Sequence, residues 1–376
     1  MKHGNVRISD LIHPVRNWNP STSVAADFVY VDISSVDAKQ KMISEPKNIP
    51  CSSAPSRARQ LLESTDVLVS TVRPNLNCVA YVSGELEGAI ASTGFCVLRP
   101  NKQALDSRYL FHWVQSEAFI GEMVSKSTGA SYPAVSDSII HASEMPLPPL
   151  EEQRRIAAIL DKTAELSSAN RQRKDLLRAF PLSVYRQMFG DPRHNPFLWP
   201  VFRLGKICLN EDARRVPVKS SDRKAMQGRF PYYGASGVID HVDDYLFDGQ
   251  RLLVGEDGAN LIARSSPIAF IADGKYWVNN HAHVLSENGR AKLRFLEYYF
   301  ALVDLKPFVT GSAQPKLTRS ALDSLPVPLP PLDLQERFES VLTALDARFA
   351  QAEISAQQTS SLSYALRSAS FQGDAG

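Results

Sequence analysis

One stretch of this chain occurs twice, and its recurrence limits the fold more than any other feature. Residues 146–155 read Pro-Leu-Pro-Pro-Leu-Glu-Glu-Gln-Arg-Arg, and residues 328–337 read Pro-Leu-Pro-Pro-Leu-Asp-Leu-Gln-Glu-Arg. The offset is 182 residues in a chain of 376. Self-similarity at a fixed offset sets the architecture, because each copy is one structural unit. The register continues upstream without a gap: Thr128-Gly129 falls on Thr310-Gly311, Pro133 on Pro315, and Ser138 on Ser320. From Thr128 to Arg155, 11 of 28 aligned positions are identical, and several of these are not proline. A weaker match opens each copy, Val6-Arg7-Ile8-Ser9-Asp10-Leu11-Ile12 against Phe202-Arg203-Leu204-Gly205-Lys206-Ile207-Cys208. The chain therefore divides into two similar halves.

Each half reads as a β-rich globule with a small helix, followed by one long amphipathic helix. In the first half, strands are expected at Phe28–Ile33, Asp66–Val72, Cys78–Val82, Gly88–Ser92 and Phe95–Leu98, from their β-branched and aromatic content between turn formers. Residues 44–56 hold three prolines and read as a loop, and Ala58–Leu62 as one helical turn. Tyr109, Leu110, Trp113, Val114 and Ile120 recur at helical spacing over 106–125. In the second half, strands are expected at Arg251–Val254, Ile268–Ala272 and His283–Leu285, and a helix over 295–309.

The long helices begin where the proline tracts end. Proline just before Leu150, with Glu151 and Glu152 in the first turn, suits the positive end of a helix. Ile156, Ile159/Leu160, Thr163 and Leu166 continue the stripe through Asn170 and Arg173 to Leu177, Phe180 and Val184, with Pro181 expected to kink or end it; polar residues within such a seam weaken it but can fix its register. The second helix starts near Asp333, with a stripe of Phe338, Leu342, Leu345, Phe349, Ala352, Ala356, Leu362 and Leu366; the tail Ser368–Gly376 reads as frayed. Roughly 30 residues make a helix of about 45 Å. A stripe that long needs a partner, and the economical one is the other long helix, packed antiparallel. The expected fold class is α+β: two β-rich globular domains separated by two long antiparallel coiled-coil-like helices, with pseudo-two-fold symmetry. The boundaries are 1–149 and 191–331 for the globules, 150–190 for the first helix, and 332–376 for the second helix and tail.

Catalytic constellations are thin. Neither GxGxxG after a strand nor GxxxxGK[ST] occurs, so the known phosphate cradles are missing. Glu45-Pro46-Lys47 resembles a nuclease Glu-x-Lys, but proline suits a central strand poorly. His281-Ala282-His283 could put two imidazoles on one strand face, yet no third ligand stands at metal spacing, which favours hydrogen-bonding histidines. Asp243, Asp244, Glu256 and Asp257 read as a solvated acidic edge, while Gly234-Ala235-Ser236-Gly237 could cradle a phosphate and fits a tight loop equally well. The four cysteines show no CxxC pair, and no apolar run approaches membrane-span length. These features suit a metal-free chain in a reducing cytoplasm. Net charge is only +2. Basic clusters at 213–230 (Arg214, Arg215, Lys219, Arg223, Lys224, Arg229) and 166–188 (Arg171, Arg173, Lys174, Arg178, Arg186) could face phosphates or solvent.

Two halves without catalytic groups, joined by a helical spacer, suit a reader of a two-part target. Together the tandem halves, the twin Pro-Leu-Pro-Pro-Leu…Gln entries and the Thr-Gly-x-x-x-Pro loops resemble the specificity subunit of type I restriction–modification systems. Pro231-Tyr232-Tyr233-Gly234-Ala235-Ser236-Gly237 and Val278-Asn279-Asn280-His281-Ala282-His283 resemble its target-recognition sequence. The resemblance implies a non-catalytic subunit whose two target-recognition domains read a bipartite, asymmetric DNA site. It also implies two methyltransferase subunits docked on the helices, and restriction subunits with an ATP-dependent nuclease. S-adenosylmethionine, ATP and Mg²⁺ would then belong to those partners, with no cofactor here.

Loop positions with base- or phosphate-reading chemistry are Arg73, Asn75, Asn77, Ser131 and Tyr132 in the first half, and Tyr233, Ser236, Asn260, Arg264, Gln314 and Lys316 in the second. Arg155, Arg171 and Arg173 are the expected partner contacts. The alternatives are a self-sufficient DNA-modifying or cleaving enzyme, and a scaffold that binds protein only.

Overall fold

In the computed structural model, residues 4–20, 25–311 and 314–371 are described. They form two compact units: one of residues 1–173 with 353–376, the other of 174–352. The long helices run Leu150–Phe189 and Leu332–Phe371, 40 residues each, so each contributes to both units. At 1.5 Å per residue each is about 60 Å long, longer than the apolar stripe alone predicts.

The first unit holds two four-stranded sheets. One has the order Ile12–His13, Phe95–Pro100, Val67–Ser70, Val79–Tyr81, and all its pairings are antiparallel. The other has the order Lys47–Pro50, Asp27–Val31, Ile90–Ser92, Ala58–Leu61, and includes one parallel pair. Residues 44–56 are thus not only loop, and Ala58–Leu61 is a strand rather than a helical turn. Pairing outweighs local propensity there: Ala58 is fully buried and Gln60 ties its amide to the Ser92 and Phe95 carbonyls. The helix over 106–125 is two, Ser107–Trp113 and Glu117–Lys126. Ser116 caps the second, its hydroxyl accepting from the Phe119 N–H.

The second unit repeats the antiparallel sheet in the same order: Cys208–Asn210, Ala282–Glu287, Arg251–Gly255, Ala269–Ala272. Its other sheet is Gly237–Val242, Gln227–Gly234, Lys275–Val278, Phe247–Asp248. Gly234–Gly237 is therefore the turn of a hairpin. A helix at Leu293–Leu302 ends earlier than its periodicity predicts.

The opening match of the two halves has a structural meaning. Val6 pairs with Met145 and Phe202 with Val327, so in each half the first strand closes against the segment before the prolines. Beyond this lies a shared clamp. Gln153 is 1% exposed; its Oε1 accepts from the Asp106 N–H at 2.8 Å, and its amide donates to the Ala104 and Pro148 carbonyls. Gln335 is fully buried and does the same with the Lys292 N–H and the Arg290 and Pro330 carbonyls. The twin glutamines of the repeated motif thus satisfy backbone groups of the globule and of the proline entry together.

Ile156, Ala157 and Leu160 of the first helix and Phe371 of the second pack into one core with Tyr109 and Trp113. Phe371 is 6% exposed, so the helix is ordered to that residue, while 372–376 lie outside the described residues. In the second unit Phe338 and Leu342 join Tyr185, Phe189 and Phe295. Pro181 does not end the first helix. It removes only one donor, and the buried Tyr185 and Phe189 beyond it hold the helix on its globule.

Within the first unit the two long helices run antiparallel. Thr163 Oγ1 meets Ser363 Oγ at 3.4 Å, and Asn170 Nδ2 donates to Thr359 Oγ1 at 3.0 Å. Within the second, Lys174 and Arg178 lie over the Phe349 ring. Polar pairs in an otherwise apolar seam cost stability and select one register. The helix-to-globule joint of the first unit carries charge as well. Asp161 accepts from both Arg108 and His112, the latter at 2.7 Å. Burial pushes the Asp161 carboxyl up, but those hydrogen bonds outweigh it and bring it from 3.8 to about 2. Burial also holds His112 below the ordinary imidazole range, so at neutral pH the charge facing Asp161 is that of Arg108.

Two outcomes follow from these joints. Gln153→Leu keeps the bulk but leaves two carbonyls and one N–H without partners, a cost of about 3 kcal/mol. Calorimetry should show a melting transition about 5–10 °C lower. Asp161→Asn should lower stability at neutral pH. A carboxyl depressed in the folded state stabilises above its unfolded value and loses that contribution on acidification. The gap between wild type and variant should therefore close as pH falls from 3.8 towards 2. A pH-independent gap would show that packing, and not charge, is what Asp161 supplies.

Candidate nucleic-acid interface

Each unit presents a loop cluster where the central strand of its antiparallel sheet ends. In the first unit, Val67–Ser70 runs into Thr71 and Val72, then Arg73 in the left-handed region (φ 50°) and a short turn at Pro74–Leu76. Against it lies the Thr-Gly-x-x-x-Pro loop, closed by reciprocal bonds between Thr128 and Ala134 (3.0 and 2.9 Å). The Arg73 N–H donates to the Pro133 carbonyl at 2.7 Å, and the Val135 N–H to Thr71 at 2.9 Å. In the second unit, Arg251–Gly255 runs into Glu256, Asp257 and Gly258. There Thr310 and Lys316 exchange bonds at 2.9 and 2.8 Å, the Gly258 N–H donates to Pro315 at 3.0 Å, and the Leu317 N–H to Glu256 at 2.8 Å. The likeness of the two halves thus carries down to single backbone hydrogen bonds, at an offset of 182 in the Thr-Gly loop and 185 at the strand end.

The glycines of this loop explain their recurrence. Gly129 has φ 101° and Gly311 φ 85°. A Cβ would stand 2.8 Å from the Tyr132 carbonyl oxygen in one and 2.6 Å from that of Gln314 in the other. Only glycine fits that conformation and that approach.

On this shared backbone the side chains differ. Tyr132 and Gln314 occupy equivalent positions, as do Ala134 and Lys316, and Arg73 and Gly258. Tyr132 is 68% exposed with the Arg73 guanidinium 4.8 Å from its ring centre. Asn75, Ser131, Ser236 and Gln314 are exposed. Lys316 is exposed too, with its ammonium 3.1 Å from Glu256. Arg73, Asn75, Ser131 and Tyr132 form one such cluster, while Gln314 and Lys316 belong to the other. Ser236 lies in the hairpin turn.

Four expected contact residues have internal work instead. Asn77 donates to the Val114 carbonyl and accepts from Lys41 Nζ at 2.9 Å. Asn260 closes its own loop through Ser265 and Ser266. Arg264 donates to the carbonyls of Phe300, Ala301 and Val303, capping the end of the Leu293–Leu302 helix. Tyr233 packs its ring on Phe270 and Tyr276. A loop asparagine or arginine looks the same in sequence whether it faces a ligand or its own backbone.

The basic stretch at 213–230 is likewise tied down in part. Arg215 pairs with Glu256 at 2.7 Å, Arg223 with Asp240 at 2.8 Å, and Arg214 with Glu211. Glu256 is not on a solvated edge: it is 9% exposed, within a buried group with Asp212 and His283. Among the described residues these three form the one group with metal-ligand spacing. They do not need an ion. Arg215 and Lys316 supply two positive charges, and His283 joins Asp212 Oδ2 (2.6 Å) to the Leu317 carbonyl (2.8 Å). Burial pushes the Asp212 carboxyl up, and His283, the Val284 N–H and Arg215 bring it below the usual range. The group acts as a brace beneath the loop cluster. His281 hydrogen-bonds as expected: its Nδ1 lies 2.8 Å from Asp257 at the lip of this cluster, with the ring exposed.

On the helices, Arg155 is exposed and paired with Glu152 one turn away; Arg173 is exposed, and Arg171 edges a cavity against the globule. No described helix is long and apolar enough to cross a membrane.

Comparison with known proteins bears on this arrangement. Residues 59–179 and 196–358 match the model of the type I restriction modification DNA specificity domain. The specificity subunit of the type I restriction enzyme MjaIX of Methanocaldococcus jannaschii is 22% identical over 300 residues, 71% of this chain and 68% of that one. A Haemophilus influenzae protein named as a candidate type I restriction enzyme specificity subunit is 42% identical over 135 residues. That match spans 35% of this chain and only 34% of the relative. A solved chain from a type I R-M system superposes with a TM-score of 0.66 at 25% identity, covering 99% of this chain and 98% of that one. Twin domain matches, one in each half, agree with twin loop frames: this chain belongs to the type I restriction modification DNA specificity family, as a specificity subunit.

Proposed function

We propose that the chain reads a bipartite, asymmetric DNA site, one half-site through residues 1–149 and the other through 191–331. The observation that carries this is the pair of loop clusters: one backbone frame, held by the same hydrogen bonds, with different side chains at equivalent positions. Such a frame positions groups in the same way and lets them read different bases. Arg73, Asn75, Ser131 and Tyr132 would contact one half-site; Ser236, Gln314 and Lys316, with His281 beside them, the other. Residues 150–190 and 332–376 would serve as spacer and as docking face for two methyltransferase subunits, with Arg155 and Arg173 among the contacts. Restriction subunits with the ATP-dependent nuclease would join that complex in the cytoplasm. S-adenosylmethionine, ATP and Mg²⁺ would belong to the partners, and this chain would catalyse nothing itself. Purified alone with DNA and S-adenosylmethionine, it should transfer no methyl group; transfer without a partner would favour a self-sufficient enzyme.

Arg73→Ala should weaken binding of the methyltransferase complex by about 1–3 kcal/mol and relax sequence preference in one half-site only. Exchange of residues 199–327 for those of another family member should change only the other half-site. Equal loss at both would contradict one-domain, one-half-site reading. Adding two helical turns after Leu166, matched by two turns near Leu362, should lengthen the unread spacer between the half-sites. A change in the half-site sequences themselves would show that the helices are more than a ruler.

A further inference from the structure

A cavity of about 470 Å³ opens between the first globule and the long helices of the same unit. Arg73, Asn75, Ser131 and Tyr132 are not among its lining residues, although Lys41 reaches Asn77 at the end of the Pro74–Leu76 turn. Its charge is one-sided. Lys39 and Lys41 come from the loop at 38–41, Arg108 from the helix Ser107–Trp113, Arg171 from the first long helix and Arg367 from the second. Among the described residues, no acidic side chain lines it. Of the nearby carboxylates, Asp161 is committed to Arg108 and His112, and Asp37 is bound to the N–H groups of Lys39 and Gln40.

The two deepest cations form no ion pair among the described residues, although Asp37 acts on Lys41 by charge. Lys41 Nζ donates to the backbone carbonyl and side-chain oxygen of Asn77, both neutral. Burial pulls its ammonium down from 10.5 to about 8. Arg367 donates to the Gln115 carbonyl at 3.3 Å, and its buried Nε has no partner. Burial lowers its guanidinium as well. Buried donors and charges in this state are costly, and native proteins retain them where something fills the need. With Arg108 paired to Asp161, the four remaining cations from three chain segments still exceed what one carboxylate would neutralise. A phosphomonoester or diphosphate brings about two negative charges or more and several acceptor oxygens in a small volume. A B-DNA backbone offers one charge per phosphate and cannot bury a single group in a recess.

We propose that this cavity is a binding site for a small phosphomonoester or diphosphate, held by Lys41, Arg171 and Arg367. The site lies where the first globule meets both long helices of its unit. Occupancy would therefore stiffen that joint.

Calorimetric titration of the full chain with sodium pyrophosphate at low salt tests the proposal. Saturable binding is expected, with a raised melting temperature for the first unit. Arg171→Ala should weaken binding roughly tenfold or more, because it removes a charge-assisted hydrogen bond to the anion. Arg171 is exposed, so this variant should keep the unliganded melting temperature. Arg367→Met should abolish binding and, if it does not fold, leaves Arg171→Ala as the deciding variant. Arg186→Ala, in the other unit, should bind as wild type does. Absence of saturable binding, equal binding by Arg171→Ala, or displacement by a duplex with 5′-hydroxyl ends would overturn the proposal.

Discussion

The structure depends on a buried glutamine that joins globule to helix. The prolines themselves supply no N–H groups, and the chain that enters each long helix leaves carbonyls facing inward. In each unit one glutamine amide donates to such a carbonyl and to one in the globule, while its oxygen takes a globule N–H. A neutral side chain with both donor and acceptor capacity meets all three demands without the cost of a buried charge. This makes the proline tract a joint with one geometry, where without the clamp it would be a linker.

What the joint holds is then set by the helix faces. The same helix pair packs on both cores, with Phe371 closing one and Phe338 the other. Hydroxyl and amide pairs along the seam give up some apolar contact in exchange for a fixed register. With entry and register both specified, each loop cluster is carried on a rigid base, which a recognition surface needs if its side chains are to meet base edges repeatably.

Much of this is readable from the chain. The repeat identifies two halves; the prolines and acidic first turn locate Leu150; polar residues in the stripe point to a register-setting seam. The Thr-Gly-x-x-x-Pro loops are visible because a left-handed glycine beside a carbonyl tolerates no substitute. Other features are hidden for physical reasons. Ala58–Leu61 has no strong strand signature and is a strand because its neighbours pair with it. Pro181 stays in its helix because tertiary packing beyond it outweighs one missing hydrogen bond. Arg264, Asn260 and Asn77 carry recognition chemistry but spend it on backbone carbonyls and loop closure, a choice made by non-local contacts. Glu256 reads as surface because its partners Arg215 and Lys316 lie 41 and 60 positions away in sequence.

Two similar frames carry different side chains, and on the proposed function each meets its own half-site. Methylome sequencing of a host carrying the partner methyltransferase, with and without this gene, tests it most directly. The gene's presence should add one methylated motif made of two dissimilar half-sites around an unread spacer of constant length. A contiguous or palindromic motif, or a methylome unchanged by the gene, would contradict it.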